Sequence, residues 1–200
     1  MNTILNITSS LFGQEGQSSK LAQTFIERLQ QRKPDSEVIH RDLAAKPVPH
    51  LNADSFQGFA AQPDERTDSQ KRAAELSDGL IDELQRADIL VLGLPMYNFG
   101  IPSTLKAYFD YVARAGITFK YTEKGAVGLL QGKKAYVLTT RGGLYKGTSK
   151  DTETHYVTDF LSFLGIDDIQ FVYAEGLAMG DDAREKALQG AAQTIDRLVV

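Results

Sequence analysis

Apolar and polar positions along the chain follow two alternating periods. Short apolar runs read as strands: TILNIT at 3–8, SEVIHRDL at 36–43, DILVLGLP at 88–95, KAYVLTT at 134–140 and IQFVYAEGLA at 169–178. The third run is unbroken, so it is expected to be buried on both faces. Between the runs, apolar residues recur at helical spacing. In SSKLAQTFIERLQQR (18–32), Leu21, Phe25, Ile26 and Leu29 stand at i, i+4, i+5 and i+8, and Lys33-Pro34-Asp35 ends the helix. Further helices are expected over 68–87, 102–116, 151–166 and 181–200. Ser103 or Thr104 falls in the first turn of the second of these, with Gly116 as its C′ residue. Asp181 or Asp182 is the expected N-cap of the last. Residues 45–67 carry Pro47, Pro49 and Pro63 and read as an extended surface excursion, with a short helix near Ser55–Ala60. Residues 117–133 alternate around Gly125 and read as a hairpin or a structured loop.

Strands alternating with helices imply a parallel sheet covered by helices on both faces. Residues 1–200 show no repeat, linker or low-complexity tract, so a single α/β domain is expected. By analogy, five such strands suit the flavodoxin-like order 2-1-3-4-5, a three-layer sandwich.

Composition narrows the chemistry. With 22 Lys and Arg against 26 Asp and Glu, the net charge is −4, which lacks the broad basic footprint of a nucleic-acid binder. The chain has no Cys, which excludes disulfides, thiolate catalysis and thiolate metal sites. Its three histidines, His40, His50 and His155, lack metal-ligand spacing, so no metal is expected. No apolar run reaches membrane-spanning length, and MNTILNITSS lacks the basic and long apolar regions of a signal peptide. A cytoplasmic protein that binds neither nucleic acid nor membrane is expected.

In an open α/β sheet, ligands bind outside the carboxyl ends of the strands near the switch point. That places the chemistry in the loops after the first, third and fourth strands. The first, SSLFGQEGQSSKL, offers Ser9, Ser10, Ser18 and Ser19 hydroxyls and two glycines ahead of a helix N-terminus, where free N–H groups favour an anion. It matches neither G-x-G-x-x-G nor G-x-x-x-x-G-K-[ST], so a single terminal phosphate suits it better than a triphosphate with magnesium. The bland alternative is a Ser-rich helix cap. The second loop, PMYNFGIP, sets Tyr97, Asn98 and Phe99 between Pro95 and Pro102. Aromatics there can pack on a planar ring, and Asn98 offers both donor and acceptor to its polar edge. Alternatively the aromatics top the core and Asn98 caps a turn. In the third loop, TTRGGLY, Gly142 and Gly143 let backbone N–H groups approach a flat ligand, while Arg141 either positions a substrate or sits on the surface. A phosphate on the first loop and a planar polar ring on the others together describe flavin mononucleotide (FMN).

These residues resemble a known family. GQSS, PMYNF, ARAGITFKYT, TRGG and AEG, spread over essentially the whole chain, are similar to the FMN-dependent NADH-azoreductases of bacteria, flavodoxin-like proteins also described as quinone reductases. The resemblance implies that Ser10, Gly16, Gln17 and Ser18 take the phosphate. It implies that Met96, Tyr97, Asn98 and Phe99 line the ribityl chain and ring, and that Thr140, Arg141, Gly142 and Gly143 meet the ring's polar edge. One departure is visible: members often carry Ser where this chain has Gly16. A homodimer is also implied, with a substrate pocket built from both subunits and Tyr121 and Phe163 at its aromatic positions. The implied activity is NADH-dependent reduction of quinones and of aromatic azo compounds to amines, in two half-reactions at one flavin, with two such rounds for full cleavage of an azo bond. Catalysis is then flavin-borne, with Asn98 placed to tune the flavin. Two rivals stand beside it: a flavodoxin-type electron carrier, which would carry a strongly acidic surface, and a regulatory or structural protein that has lost the flavin.

Overall fold

The computed structural model describes residues 2–199. Seven strands form: β1 (Thr3–Thr8), β2 (Glu37–Asp42), β3 (Ile89–Pro95), β4 (Phe119–Thr122), β5 (Gly125–Gly128), β6 (Lys134–Thr140) and β7 (Asp168–Ala174). The helices are α1 (Gln17–Arg32), α2 (Ala53–Ala60), α3 (Asp68–Arg86), α4 (Ser103–Val112), α5 (Thr152–Phe163) and α6 (Asp181–Leu198), with a 3-10 turn at Gly13–Glu15. Five strands make one parallel sheet in the order β2-β1-β3-β6-β7, while β4 and β5 pair separately as an antiparallel hairpin. Counting only the five sheet strands along the chain, the order is 2-1-3-4-5, as expected from the alternation and its analogy.

Successive strand residues face opposite sides of a sheet. Leu90, Leu92 and Leu94 join a core with α3, α4 and α5 through Leu80, Leu105, Val112 and Leu161. Their neighbours Ile89 and Val91 join a second core with α1 and α6 through Phe25, Ile26 and Ile195. The sheet is therefore covered on both faces, and all seven residues of β3 are buried, as its unbroken apolar run requires. The register places Thr8 beside Gly93 and Pro95 beside Thr140, so β1, β3 and β6 end at one edge.

Helix α3 opens on a reciprocal cap. The Thr67 hydroxyl accepts from the Gln70 N–H at 3.3 Å, and the Gln70 side chain accepts from the Thr67 N–H at 3.1 Å. The expected excursion holds α2, capped by the Asn52 side chain. Arg114 pins it down: its guanidinium is 2.6 Å from Asp78, 3.1 Å from Ser77 Oγ and 4.9 Å from the Phe59 ring centroid. Two end signals were misplaced. Helix α4 stops at Val112 because Thr118 Oγ accepts from the Arg114 N–H and donates to the Val112 carbonyl, competing with the next turn. Gly116 instead lies in the following turn at φ 82°. The N-cap of α6 is Gly180, at φ 106°, with Asp181 and Asp182 in the first turn, where they oppose the helix's positive end.

Candidate functional site

The first loop delivers a helix N-terminus to the sheet edge. Gly93 allows this, because a Cβ there would lie 3.1 Å from the Ser18 carbonyl oxygen. The N-cap of α1 is Gly16, with no side-chain cap, and the Ser18 and Ser19 hydroxyls are buried without a hydrogen-bond partner. The reading of this loop as a Ser-capped helix therefore fails. Two buried hydroxyls stand in the turn whose N–H groups lack intrahelical partners, the donor set an anion requires. Gly16 is constrained as well: a Cβ there would come within 2.1 Å of Ser10 Oγ. Ser at position 16, common in the resembled family, would force the Ser10 side chain to move.

The second loop is a tight reversal. Tyr97 N–H donates to the Gly100 carbonyl at 2.9 Å and Gly100 N–H to the Tyr97 carbonyl at 3.0 Å. Asn98 and Phe99 between them have φ of 51° and 65°, the left-handed pair of a type I′ turn. Left-handed backbone at two non-glycine residues costs on the order of 1 kcal/mol each, and such strain concentrates at functional sites. The surroundings hold the turn. Thr152 Oγ donates to the Phe99 carbonyl, and the Phe99 ring meets Tyr145 edge-on at 5.6 Å between centroids. Phe99 is still 51% exposed. The Tyr97 hydroxyl reaches back to the first loop, accepting from the Leu11 N–H at 3.2 Å.

In the third loop Arg141 does not behave as either sequence reading expected. It is 1% exposed, so it neither lies on the surface nor reaches out to a substrate. Its guanidinium sits 2.8 Å from Asp151, 3.2 Å from Glu153 and 3.2 Å from Glu175. Its backbone, not its side chain, faces the cleft edge. The Arg141 N–H donates to the Ala174 carbonyl, and the carbonyls of Arg141, Gly142 and Gly143 accept from Leu177, Ala178 and Gly176. Among the described residues the Gly142 and Gly143 N–H groups have no hydrogen-bond partner.

The three loops share one cavity of about 180 Å³. Ser10, Gly16 and Gln17 line it from the first loop, Met96 and Tyr97 from the second, and Thr140, Arg141 and Gly142 from the third. Ser18, in the first turn of α1, Asn98 and Gly143 are not among its lining residues, and Phe99 lines a second cavity of about 470 Å³ together with Thr152 and Glu153. Tyr121 and Phe163 are not brought here. They pack instead around Phe119, with centroids 5.4 and 4.3 Å from its ring, and Tyr121 is 75% exposed. Sequence reading missed Phe12 and Leu177, which also line the smaller cavity, and the DTET stretch, Asp151 to Thr154, that grips Arg141. The DTET stretch had one signal, an acid- and hydroxyl-rich helix start separated from the glycine pair by seven residues.

Ligand loops gathered at the carboxyl edge of an open parallel sheet, astride β1 and β3 where the strand order reverses, define a doubly wound nucleotide-binding protein. A family model described as the flavodoxin-like fold matches residues 2–199, and the chain belongs to that family. It is 52% identical over 197 residues to an FMN-dependent NADH:quinone oxidoreductase of Cellvibrio japonicus, covering 98% of each chain. A protein of the same name from Alcanivorax borkumensis is 53% identical over 185 residues, 92% of this chain and 93% of that one. Among solved structures, an azoreductase of Bacillus anthracis superposes with a TM-score of 0.91 at 27% identity, covering 100% of this chain and 99% of that one. An FMN-dependent NADH-azoreductase of the same organism, in complex with FMN, superposes with a TM-score of 0.89 at 28% identity over the whole of both chains.

Proposed function

We propose that this chain is an FMN-dependent NADH oxidoreductase that reduces quinones and cleaves aromatic azo compounds to amines. In this reading residues 1–200 act as one FMN-binding domain of a cytoplasmic homodimer. The observation that carries it is the convergence of three loops on one cavity beside a helix N-terminus with two unsatisfied buried hydroxyls. Those residues fit FMN. The first turn of α1, with Ser10, Gly16, Gln17 and Ser18, holds the phosphate. Met96, Tyr97, Asn98 and Phe99 pack along the ribityl chain and the ring, and Thr140, Arg141, Gly142 and Gly143 present backbone to its polar edge. Two-electron transfer from NADH is the chemistry FMN would supply when bound: one round reduces a quinone, and two rounds cleave an azo bond to two amines. The protein's part is to hold the flat ring against a rigid wall, exclude water with Tyr97 and Phe99, and tune the ring through Asn98.

The homodimer is part of the same proposal, and the placement of two aromatic residues is consistent with it. Tyr121 and Phe163 stand away from the three loops of their own chain, so they serve a substrate pocket only by reaching the site of a second copy. The test is direct. Purified protein should be yellow, bind FMN in a 1:1 titration, and oxidise NADH with a quinone and an azo dye in the absence of any partner protein. A colourless protein that does not take up FMN would overturn the reading. FMN binding with turnover only in the presence of a protein partner would point to the electron-carrier alternative.

A further inference from the structure

Helix α5 begins where two walls of the proposed flavin site meet, and four consecutive residues grip them. Asp151 is 2.8 Å from Arg141 Nη2. Thr152 Oγ holds the Phe99 carbonyl. Glu153 Oε2 accepts from Arg141 Nε at 3.2 Å and from Thr139 Oγ at 2.9 Å. Thr154 Oγ accepts from Arg141 Nη2 at 2.9 Å. One helix turn thus ties the Phe99 wall to the glycine loop.

The charges in this clamp do not balance. One guanidinium faces three carboxylates: Asp151 and Glu153 on α5, and Glu175 after β7. Asp151 also accepts from the N–H groups of Thr154 and Gly147, and Glu175 from those of Tyr145 and Lys146. Glu153 lacks such support. Its side chain is fully buried, and Oε1 has no partner. An excess negative charge out of water is costly, so the carboxylate with the fewest donors is the one that takes a proton. Burial pushes the Glu153 carboxyl up to about 7, against the bonds from Thr139 and Arg141, with Asp151 adding to the rise. Other titratable groups nearby are Tyr173 on β7, bonded to Thr154, and His50, Lys106 and Tyr156 around the larger cavity. Lys106 is held by Asp110, and none of these groups bonds to Oε1.

We propose that Glu153 is a positioning residue that couples flavin reduction to proton uptake, acting through Arg141 and the Gly142–Gly143 loop. The proposal rests on the FMN reading above. With FMN bound, hydride from NADH would bring two electrons and one proton, leaving NAD⁺ and one added negative charge in the site. A negative charge held against the Gly142–Gly143 loop would raise the proton affinity of Glu153. A second proton, from solvent, then converts its carboxylate to the acid and restores the local charge.

The test is the midpoint potential of bound FMN against pH, in wild type and Glu153→Gln. Below pH 7 the two curves should coincide, because the amide mimics the protonated acid. Above pH 7 the wild-type redox equilibrium should fall away by up to tenfold per pH unit, about 30 mV for a two-electron couple. Curves that coincide from pH 6 to 9 would overturn the proposal. If the variant does not fold or hold FMN, the infrared difference spectrum of wild type on reduction at pH 8 decides. A gained protonated-carboxyl C=O band supports the proposal, and its absence overturns it. Failure of the FMN reading itself shows earlier and separately, as a wild type without flavin or without NADH:quinone turnover, and it would take this proposal with it.

Discussion

Asn98 and Phe99 show what single residues contribute beyond their chemistry. PMYNF was legible as an aromatic wall. Its left-handed backbone was not: Asn is enriched at positive φ, but Phe beside it is not, so the pair did not announce the turn. This bears on how Asn98 is probed. Asn98→Ala strains the turn as well as deleting the amide, whereas Asn98→Gly deletes the amide alone. With Asn98→Gly, stability is expected to stay within about 1 kcal/mol while turnover slows about tenfold or the flavin potential shifts. Unchanged kinetics and potential would leave Asn98 a backbone role only. Arg141 is the converse case. Its position in the loop was legible, but its cage was not, since Asp151, Glu153 and Glu175 lie 10 to 34 residues along the chain.

At the scale of elements, helix α1 separates binding from stability. Ser18 and Ser19 are buried without partners, so each hydroxyl costs the flavin-free protein something and gains it back only with a ligand. Ser18→Ala and Ser19→Ala should each weaken FMN about three- to tenfold in titration, on the order of 1 kcal/mol, without lowering the melting temperature of flavin-free protein. A lower melting temperature with unaltered affinity would make them ordinary core residues. Helix α5 carries a pH dependence of its own. Burial raises Glu153 in the folded chain above its ordinary value, so the folded state binds a proton the unfolded state releases. Its favourable contribution is complete below the ordinary carboxylate range and is lost as pH rises toward about 7. Wild type should therefore lose thermal stability relative to Glu153→Gln between pH 5 and pH 8, and parallel melting curves would count against this.

For the molecule as a whole, the α/β alternation was enough to predict the sheet, because buried parallel strands and amphipathic helices have distinct periods. Helix ends were less legible, since Thr118 and Gly180 decide them through tertiary hydrogen bonds and backbone geometry. Assembly was legible only through resemblance. If the pocket is shared between copies, gel filtration with light scattering should give the mass of two chains. Tyr121→Ala should then raise the acceptor KM about tenfold while stability shifts by no more than about 0.5 kcal/mol, as for an exposed side chain. A single-chain mass, or an unaltered KM, would remove Tyr121 from the pocket.

The pairing of residues 141–143 with residues 174–178 also sets an order in time. As the chain leaves the ribosome, the first two ligand loops emerge while the third still lacks its support. Ala174 and Leu177 supply the backbone partners of Arg141, and Glu175 the last carboxylate around it. Domains fold as units during synthesis. A nascent chain that stops before β7 therefore owns every proposed phosphate contact and still has no finished seat for the ring.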